Sequence, residues 1–398
     1  MNQFTRVTDT LAKPVVRWPV LSAIFILMPW LILIIPIFQA NNFTYSQLCF
    51  WMILSVAALG LNILTGLTGM ISVGHSAVYA IGAFTAGYFT SKAGLPFPVA
   101  IVTGAIAGGI VALILGLPAL KLSGPYLAIA TFAFAVAVPQ LLASSKEVGA
   151  LFADPDDPTT KIGVFKVPKQ TFPGFDIRND LGRYYLFLII GAIMFLLALG
   201  IWNSRTGRAF RAIRDSETAA QAMGISIGRF KLLAFIISGV YAGVAGSMYT
   251  AYVGQIEATD IQFSAIESVI FLAAILLGGL GSIWGAVVGA GLMVLVPQLA
   301  TSLRRFLSEN FQFSVDNLES IFYGLILILV IFFMPNGITG AVAKLYNRLR
   351  DGKPKSIEEE AKKLEETSVF SPAPVVADAG HSGEKLASAK TTTTSEGA

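Results

Sequence analysis

Apolar residues run along this chain in blocks of about twenty, separated by polar or glycine-bearing joints. The blocks fall near residues 20–39, 46–66, 72–90, 97–117, 124–144, 184–203, 229–253, 262–280, 285–303 and 318–335. A helix rises about 1.5 Å per residue and a bilayer's hydrocarbon core is about 30 Å thick, so each block can cross it as a helix. A membrane barrel would instead show alternating segments of about ten residues. The pattern predicts an all-α protein, a polytopic integral membrane helical bundle of about ten transmembrane helices.

Composition supports that class: 55% of residues are hydrophobic and 13% charged, where soluble domains carry about 25% charged. The formal net charge of +4 would point to nucleic acid in a soluble protein. Here it fits lysines and arginines held on the cytoplasmic side, and no nucleic acid partner is expected. The single cysteine, Cys49, excludes an intrachain disulfide and a cysteine-based metal site. With only His75 and His381 in the chain, a histidine-rich catalytic centre is excluded too, and no metal site is expected.

The first apolar block follows Arg6, Lys13 and Arg17, like the start of a signal peptide. It extends to about Phe38 and lacks an A-x-A site, so an uncleaved span is expected. With ten spans, three basic regions fall on one side: the N-terminus, the 204–231 segment and the flank with Lys344, Arg348 and Arg350. That side should be the cytoplasm, though Arg304 and Arg305 then lie outside, against the rule. The expected organisation is a cytoplasmic segment 1–19, a transmembrane domain 20–340 and a charged, largely disordered cytoplasmic tail 341–398. Within the domain, 145–183 forms an external loop and 204–228 a cytoplasmic one. The tail's Pro/Ser/Thr/Ala/Gly-rich stretch buries too little apolar surface to offset its ordering entropy.

Glycine lies inside the spans as well as between them. "GAIAGG" (Gly104–Gly109), "GVYAGVAG" (Gly239–Gly246) and "GAVVGAG" (Gly285–Gly291) place small residues four apart, the spacing that lets helix backbones approach closely in lipid. These faces either pack one bundle or line a path or partner surface. "GLTGMISVGHSAVYAIGA" (Gly66–Ala83) and "GGLGSIWGAVVGAG" (Gly278–Gly291) each run from a glycine break into a glycine-rich span, a possible internal repeat flanking a solute path. Candidates for that path are Gly69, Ser72 and His75 at the first break, and Glu267, the one carboxylate well inside a block. His75 has a structural alternative, a neutral imidazole bonded to a backbone carbonyl. Glu267 has one as well, packing at a helix N-terminus. No line of charged residues crosses the bilayer and no GxxxxGK[ST] occurs, so a solute moved uphill needs an outside source of energy.

Arginines cluster in "RAFRAIRDSETAAQAMGI" (Arg208–Ile225). Arg208, Arg211 and Arg214 recur every three residues, and Arg211 is spaced to pair with Asp215. Asp215 or Ser216 can cap a two-turn helix from Glu217 to Met223, closed by Gly224 at the C′ position. Ala219, Ala220 and Met223 give that helix a small apolar face. An interfacial loop meeting anionic membrane lipid would explain the arginines. A capped helix with a small apolar face also fits a groove on another protein.

"SRTGRAFRAIRDSETAAQAMGISIGRFKLLAFIISGVYAGVAGSMY" closely resembles the EAA-type coupling loop in permease subunits of bacterial ABC importers for branched-chain amino acids. "ALGLNILTGLTGMISVGHSAVYAIGAFTAG", "GLPALKLSGPYLAIATFAFA", "FSAIESVIFLAAILLGGLGSIWGAVVGA" and "FMPNGITG" resemble the same family's LivM-like branch, in order, over roughly residues 45–340. The resemblance implies a permease subunit, not an enzyme, in the bacterial inner membrane with both termini cytoplasmic. It implies a LivH-like second permease sharing the pathway, two P-loop ATPase subunits binding ATP and Mg, and a soluble substrate-binding protein arriving over the 145–183 loop. No cofactor is implied for this chain. Contact with the ATPases carries over to Glu217, Ala219, Ala220, Met223 and Gly224, with Arg208, Arg211 and Arg214 leading into them. Thr218 between Glu217 and Ala219 departs from the loose EAA pattern. Urea, short amides and other small polar solutes are alternative cargoes. A stand-alone channel or facilitator is the alternative from another class, and a membrane-embedded enzyme lacks a polar cluster of catalytic type.

Overall fold

The structure, a computed structural model, describes residues 45–122, 124–144, 164–166, 180–258, 260–311, 325 and 337–340, with the backbone alone at 144, 164–166 and 299–311. The blocks expected at 20–39 and 318–335, the 1–19 segment, the 341–398 tail and most of the 145–183 loop lie outside those residues.

Helix α1, Tyr45–Leu61, widens into a π-helical segment, Asn62–Leu67. There follow α2 (His75–Ser91), α3 (Phe97–Ala119), α4 (Pro125–Ser144) and a short strand β1 (Val164–Lys166). Next come α5 (Asp180–Asn203), α6 (Arg205–Asp215), α7 (Glu217–Ala222) and α8 (Ile227–Val253). Strand β2 (Gln255–Glu257) and a 3₁₀ turn (Ile261–Phe263) lead to α9 (Ala265–Gly278) and α10 (Ile283–Phe311).

Five of these helices are long and apolar enough to cross a membrane. Burial sorts them. The apolar stretch from Tyr45 to Leu67 is 89% buried and that of α8 72%, against 33%, 28% and 22% for α3, α4 and α5. A helix that is hydrophobic all round belongs either in a core or against lipid. Helices α1 and α8 are the core. Helix α3 turns Val102, Ile106, Ile110, Ile114 and Leu117 outward, and α5 turns out Ile189, Ile193, Leu196 and Leu197. Such a coat is stable in hydrocarbon and would be an aggregation liability in water.

Glycines join the core. Gly104 and Gly108 of α3 face Gly239 and Gly243 of α8, so closely that a Cβ on Gly243 would run into the Gly104 carbonyl and one on Gly108 into that of Gly239. Gly82 of α2 meets Gly243 from another side, and Gly246 lies against the Tyr79 carbonyl. Gly285 and Gly289 of α10 seat on Gly278 and Ala274 of α9 in the same way. Backbone contact this close is what small residues four apart permit, and van der Waals contact is the main attraction between helices in lipid.

One expectation changes. The block at 262–280 is a helix of only 14 residues, because the turn at Ile261–Phe263 delays its start and Gly279, at φ +114°, stops it. Such a helix is about 21 Å long, shorter than the hydrocarbon core. Among the described residues the helices are joined by one short antiparallel ribbon, in which Val164, Phe165 and Lys166 pair with Glu257, Ile256 and Gln255. It ties residues 164–166 to the end of α8.

The expected alternation of ten spans would put the chain near residues 66, 203, 229, 280 and 285 at one end of the bundle. The structure gathers these points around α6 and α7, which positions the site.

Candidate functional site

Helix α6 is strongly amphipathic. Gly207, Ala209, Phe210 and Ile213 are buried, and Phe210 packs edge-on to Phe230 of α8 at 6.2 Å between centroids. Ser204 caps the helix by accepting from the Gly207 N–H at 3.1 Å. Ser216 ends α6 and caps α7, accepting from the Ala219 N–H at 3.3 Å. A serine at each start satisfies amide groups that a helix cannot pair internally. The far end of α7 closes as a Schellman motif: the Ile225 N–H donates to the Ala220 carbonyl at 3.0 Å and the Gly224 N–H to that of Gln221 at 2.9 Å. Gly224 carries φ +81°, the left-handed turn the motif requires. The capped helix read from the sequence is therefore present, ending at Ala222 with Met223 as its C-cap.

The three arginines do different things. Arg208 reaches back to the Asn203 carbonyl at 3.4 Å. Arg211 lies over the Trp202 ring, 4.7 Å from its centroid, and donates to the Trp202 carbonyl at 3.1 Å. The Arg211–Asp215 pair expected from the spacing is not formed, because the aromatic face and carbonyl nine residues back hold the guanidinium. Arg214 donates to the Gly66 carbonyl at the end of α1.

Glu217 turns its carboxylate to Lys231 of α8, with Nζ to oxygen distances of 2.7 and 2.8 Å. The lysine side chain is 11% exposed and the glutamate side chain 51%, so solvent screens the pair from one side. Glu217→Gln is therefore expected to cost only about 1 kcal/mol. Lys231→Met, which removes the desolvated charge itself, should cost no more. Thermal unfolding of the purified protein checks the order; a larger loss in Lys231→Met than in Glu217→Gln would contradict it.

The small apolar face needs one correction. Ala220 is buried against the chain's own bundle, whereas Ala219 is exposed and Met223 is 83% exposed. A helix of six residues docked on α8 turns one side inward, and Ala220 is on it. Of the expected face, Ala219, Met223 and the Gly224 turn remain exposed.

The path candidates divide. Gly69, at φ +75°, lies under the aliphatic stem of Arg214. Ser72 is buried, and its hydroxyl accepts from the Gly74 N–H at 3.4 Å. His75 Nε2 donates to the Ala57 carbonyl at 3.1 Å, leaving Nδ1 toward the Ser238 hydroxyl at 3.5 Å. The imidazole therefore joins α2 to α1 and α8. Glu267 is buried in the first turn of α9, next to Ser268, whose hydroxyl bonds Ser76 at 2.7 Å. A cleft of about 540 Å³ opens at the loop end, lined by residues including Trp202, Gly279, Ser282, Trp284 and Thr339. None of Gly69, Ser72, His75 and Glu267 lines it.

The two glycine breaks meet at that end. Asn62, in the π segment, accepts from the Gly281 N–H at 2.9 Å and donates to the Ser282 carbonyl at 3.0 Å. Sequence reasoning does not single out Asn62. Its signal is visible as an amide alone in the apolar run "AALGLNILTGL".

Comparisons with known proteins agree with this architecture. Residues 44–331 match the family described as branched-chain amino acid transport system, permease component. The high-affinity branched-chain amino acid transport system permease protein LivM of Escherichia coli (strain K12) is 31% identical over 296 residues, 68% of this chain and 66% of that protein. LivM of Salmonella typhimurium is 30% identical over 278 residues, 64% of this chain and 63% of that protein. The fructose import permease protein FruG of Bifidobacterium longum is 27% identical over 289 residues, 68% of this chain and 80% of that protein. The matched region thus spans just under two thirds of each LivM protein's length. No solved structure matches the chain.

Proposed function

The chain belongs to the permease-component family of branched-chain amino acid transport systems, and from that membership we propose that it imports branched-chain or other neutral amino acids as one permease of an ABC importer. It pairs with a LivH-like permease to form the pathway, in the inner membrane of a bacterium with its termini in the cytoplasm. Two separate ATPase subunits bind ATP and Mg and dock on the coupling helices of the two permeases, α7 in this chain, and a soluble substrate-binding protein delivers the solute to the opposite side. The chain carries no catalytic residues of its own.

The observation that carries this reading is α7 itself. A six-residue helix is too short to be stable alone, yet it is capped at both ends and pinned to α8 by Glu217–Lys231 while Ala219 and Met223 stay exposed. Contact with lipid needs no such construction; a groove on a partner protein does. The similarity to LivM favours amino acids as cargo. A second reading, a sugar as cargo, draws on the similarity to FruG.

Reconstitution into vesicles tests the proposal. The chain alone should not concentrate labelled leucine against a gradient, and the full complex with its ATPases, partner permease and binding protein should do so when supplied with ATP. Accumulation by the isolated chain would overturn the reading in favour of an autonomous carrier. Accumulation of fructose in place of leucine by the complex would decide for the sugar.

A further inference from the structure

The carbonyls at the end of α1 have no partners further along the helix, as at any helix C-terminus. Here three of them find another. Thr68 Oγ1 donates to the Leu64 carbonyl, the Gly69 N–H reaches that of Thr65 at 3.2 Å, and Arg214 takes that of Gly66. The last cap comes from a different element, 148 residues away. An arginine at a helix C-terminus is favoured both by hydrogen bonding to free carbonyls and by the helix dipole.

The ground around it is tight. A Cβ on Gly66 would lie 2.6 Å from the Gly281 nitrogen, and one on Gly281 would lie 2.8 Å from Arg214 Nη1. Gly281 is also at φ +77°. Asn62 bonds the same break on both sides, to the Gly281 N–H and the Ser282 carbonyl. The end of α1 is π-helical, a geometry that recurs as single turns at functional sites.

A continuous set of contacts therefore runs from α7 through Ser216, its cap and the end of α6, to Arg214 two residues back. From there it passes to Gly66, Asn62 and the α9–α10 break. We propose that Arg214 is the positioning residue that transmits movement of the coupling loop into the ends of α1, α9 and α10, rather than a residue that docks the ATPase. The proposal rests on the reading of the chain as an ABC importer permease. In it Glu217 anchors the loop to α8, and Arg214 is the link to the core helix and the break. Contact alone does not establish coupling, so the test must measure coupling.

The experiment uses the reconstituted complex and reads three quantities: ATPase subunits retained on purification, ATP hydrolysed, and solute imported per ATP. Arg214→Ala should keep the ATPases bound and hydrolysing while import per ATP falls at least tenfold. Arg214→Lys, which can still donate one bond to the Gly66 carbonyl, should fall between. Asn62→Ala should lower the same ratio, and the double variant should be no worse than the lower single, as expected of residues in one path. Unchanged import per ATP in Arg214→Ala would overturn the proposal and leave a structural cap. Loss of the ATPases from both Arg214 variants would overturn it in favour of docking. Should Arg214→Ala fail to accumulate, Arg214→Lys decides: a lowered ratio supports transmission and a normal ratio overturns it. A wild-type complex that retains no ATPase would instead remove the importer reading itself, and the transmission role with it.

Discussion

Gly243→Leu is expected to strip the protein from the membrane fraction, with little folded material recovered. Helices α3 and α8 are the most extensively packed pair among the described residues, and their contact is backbone on backbone. A Cβ at Gly243 would run into the Gly104 carbonyl and lie 3.0 Å from the Ala105 Cα. No flexible side chain stands there to move aside. Gly82 approaches Gly243 from α2, so shifting α8 away from α3 drives it into a third helix. Overpacking usually costs about 1–3 kcal/mol, but with three backbones immobile we expect about 4 kcal/mol or more, a large part of a total stability of about 5–15 kcal/mol. Gly243→Ala should fall between wild type and leucine. Gly200→Leu supplies the control, because nothing lies within 4 Å of the position its Cβ would take on α5. Expression level and the detergent-solubilised melting midpoint measure the series. Equal behaviour of Gly243→Leu and Gly200→Leu would show that the glycine seam is not what holds α3 to α8.

That seam is one of the two outcomes the residue spacing allows, because small residues four apart let helix backbones approach closely in lipid. "GAIAGG" and "GVYAGVAG" do pack, and on each other. The caps of α6 and α7 are legible because Ser216 and Gly224 act within a few residues of where they sit. Spacing misleads where a residue's partner is remote. Arg211 has an acidic residue at helical spacing, yet Trp202 outcompetes it. Ala220 belongs to an apolar face by spacing, but only the packing of α7 on α8 decides that it points inward. Asn62 and Arg214 look unrelated along the chain, since what joins them is the meeting of two glycine breaks more than two hundred residues apart. The hydropathy of 262–280 cannot reveal a short α9 either. Apolar content is the same in a helix and in a buried turn, and non-helical backbone at membrane depth survives wherever protein covers it.

Gly224→Val is expected to abolish solute uptake while leaving the amount of protein in the membrane unchanged. Nothing lies within 4 Å of the position a Cβ would take there, so the valine meets no clash. Its penalty is conformational, because a β-branched residue is a rare outlier at φ +81°. Strain of about 1–3 kcal/mol is small against a polytopic bundle but large against a six-residue helix whose last carbonyls depend on that turn. The hydrogen bonds from Gly224 and Ile225 to Gln221 and Ala220 would open, and Met223 would lose the exposed position proposed to meet a partner. Gly224→Asn makes the argument specific, since asparagine tolerates the left-handed region and should retain most of the uptake. Gly224→Ala should lie between the two. Uptake and ATPase co-purification, measured side by side at matched membrane levels, should both follow the order Gly, Asn, Ala, Val. Wild-type uptake in the valine variant would mean that the end of α7 bears no load in transport, and the docking surface would then have to be sought elsewhere on the loop.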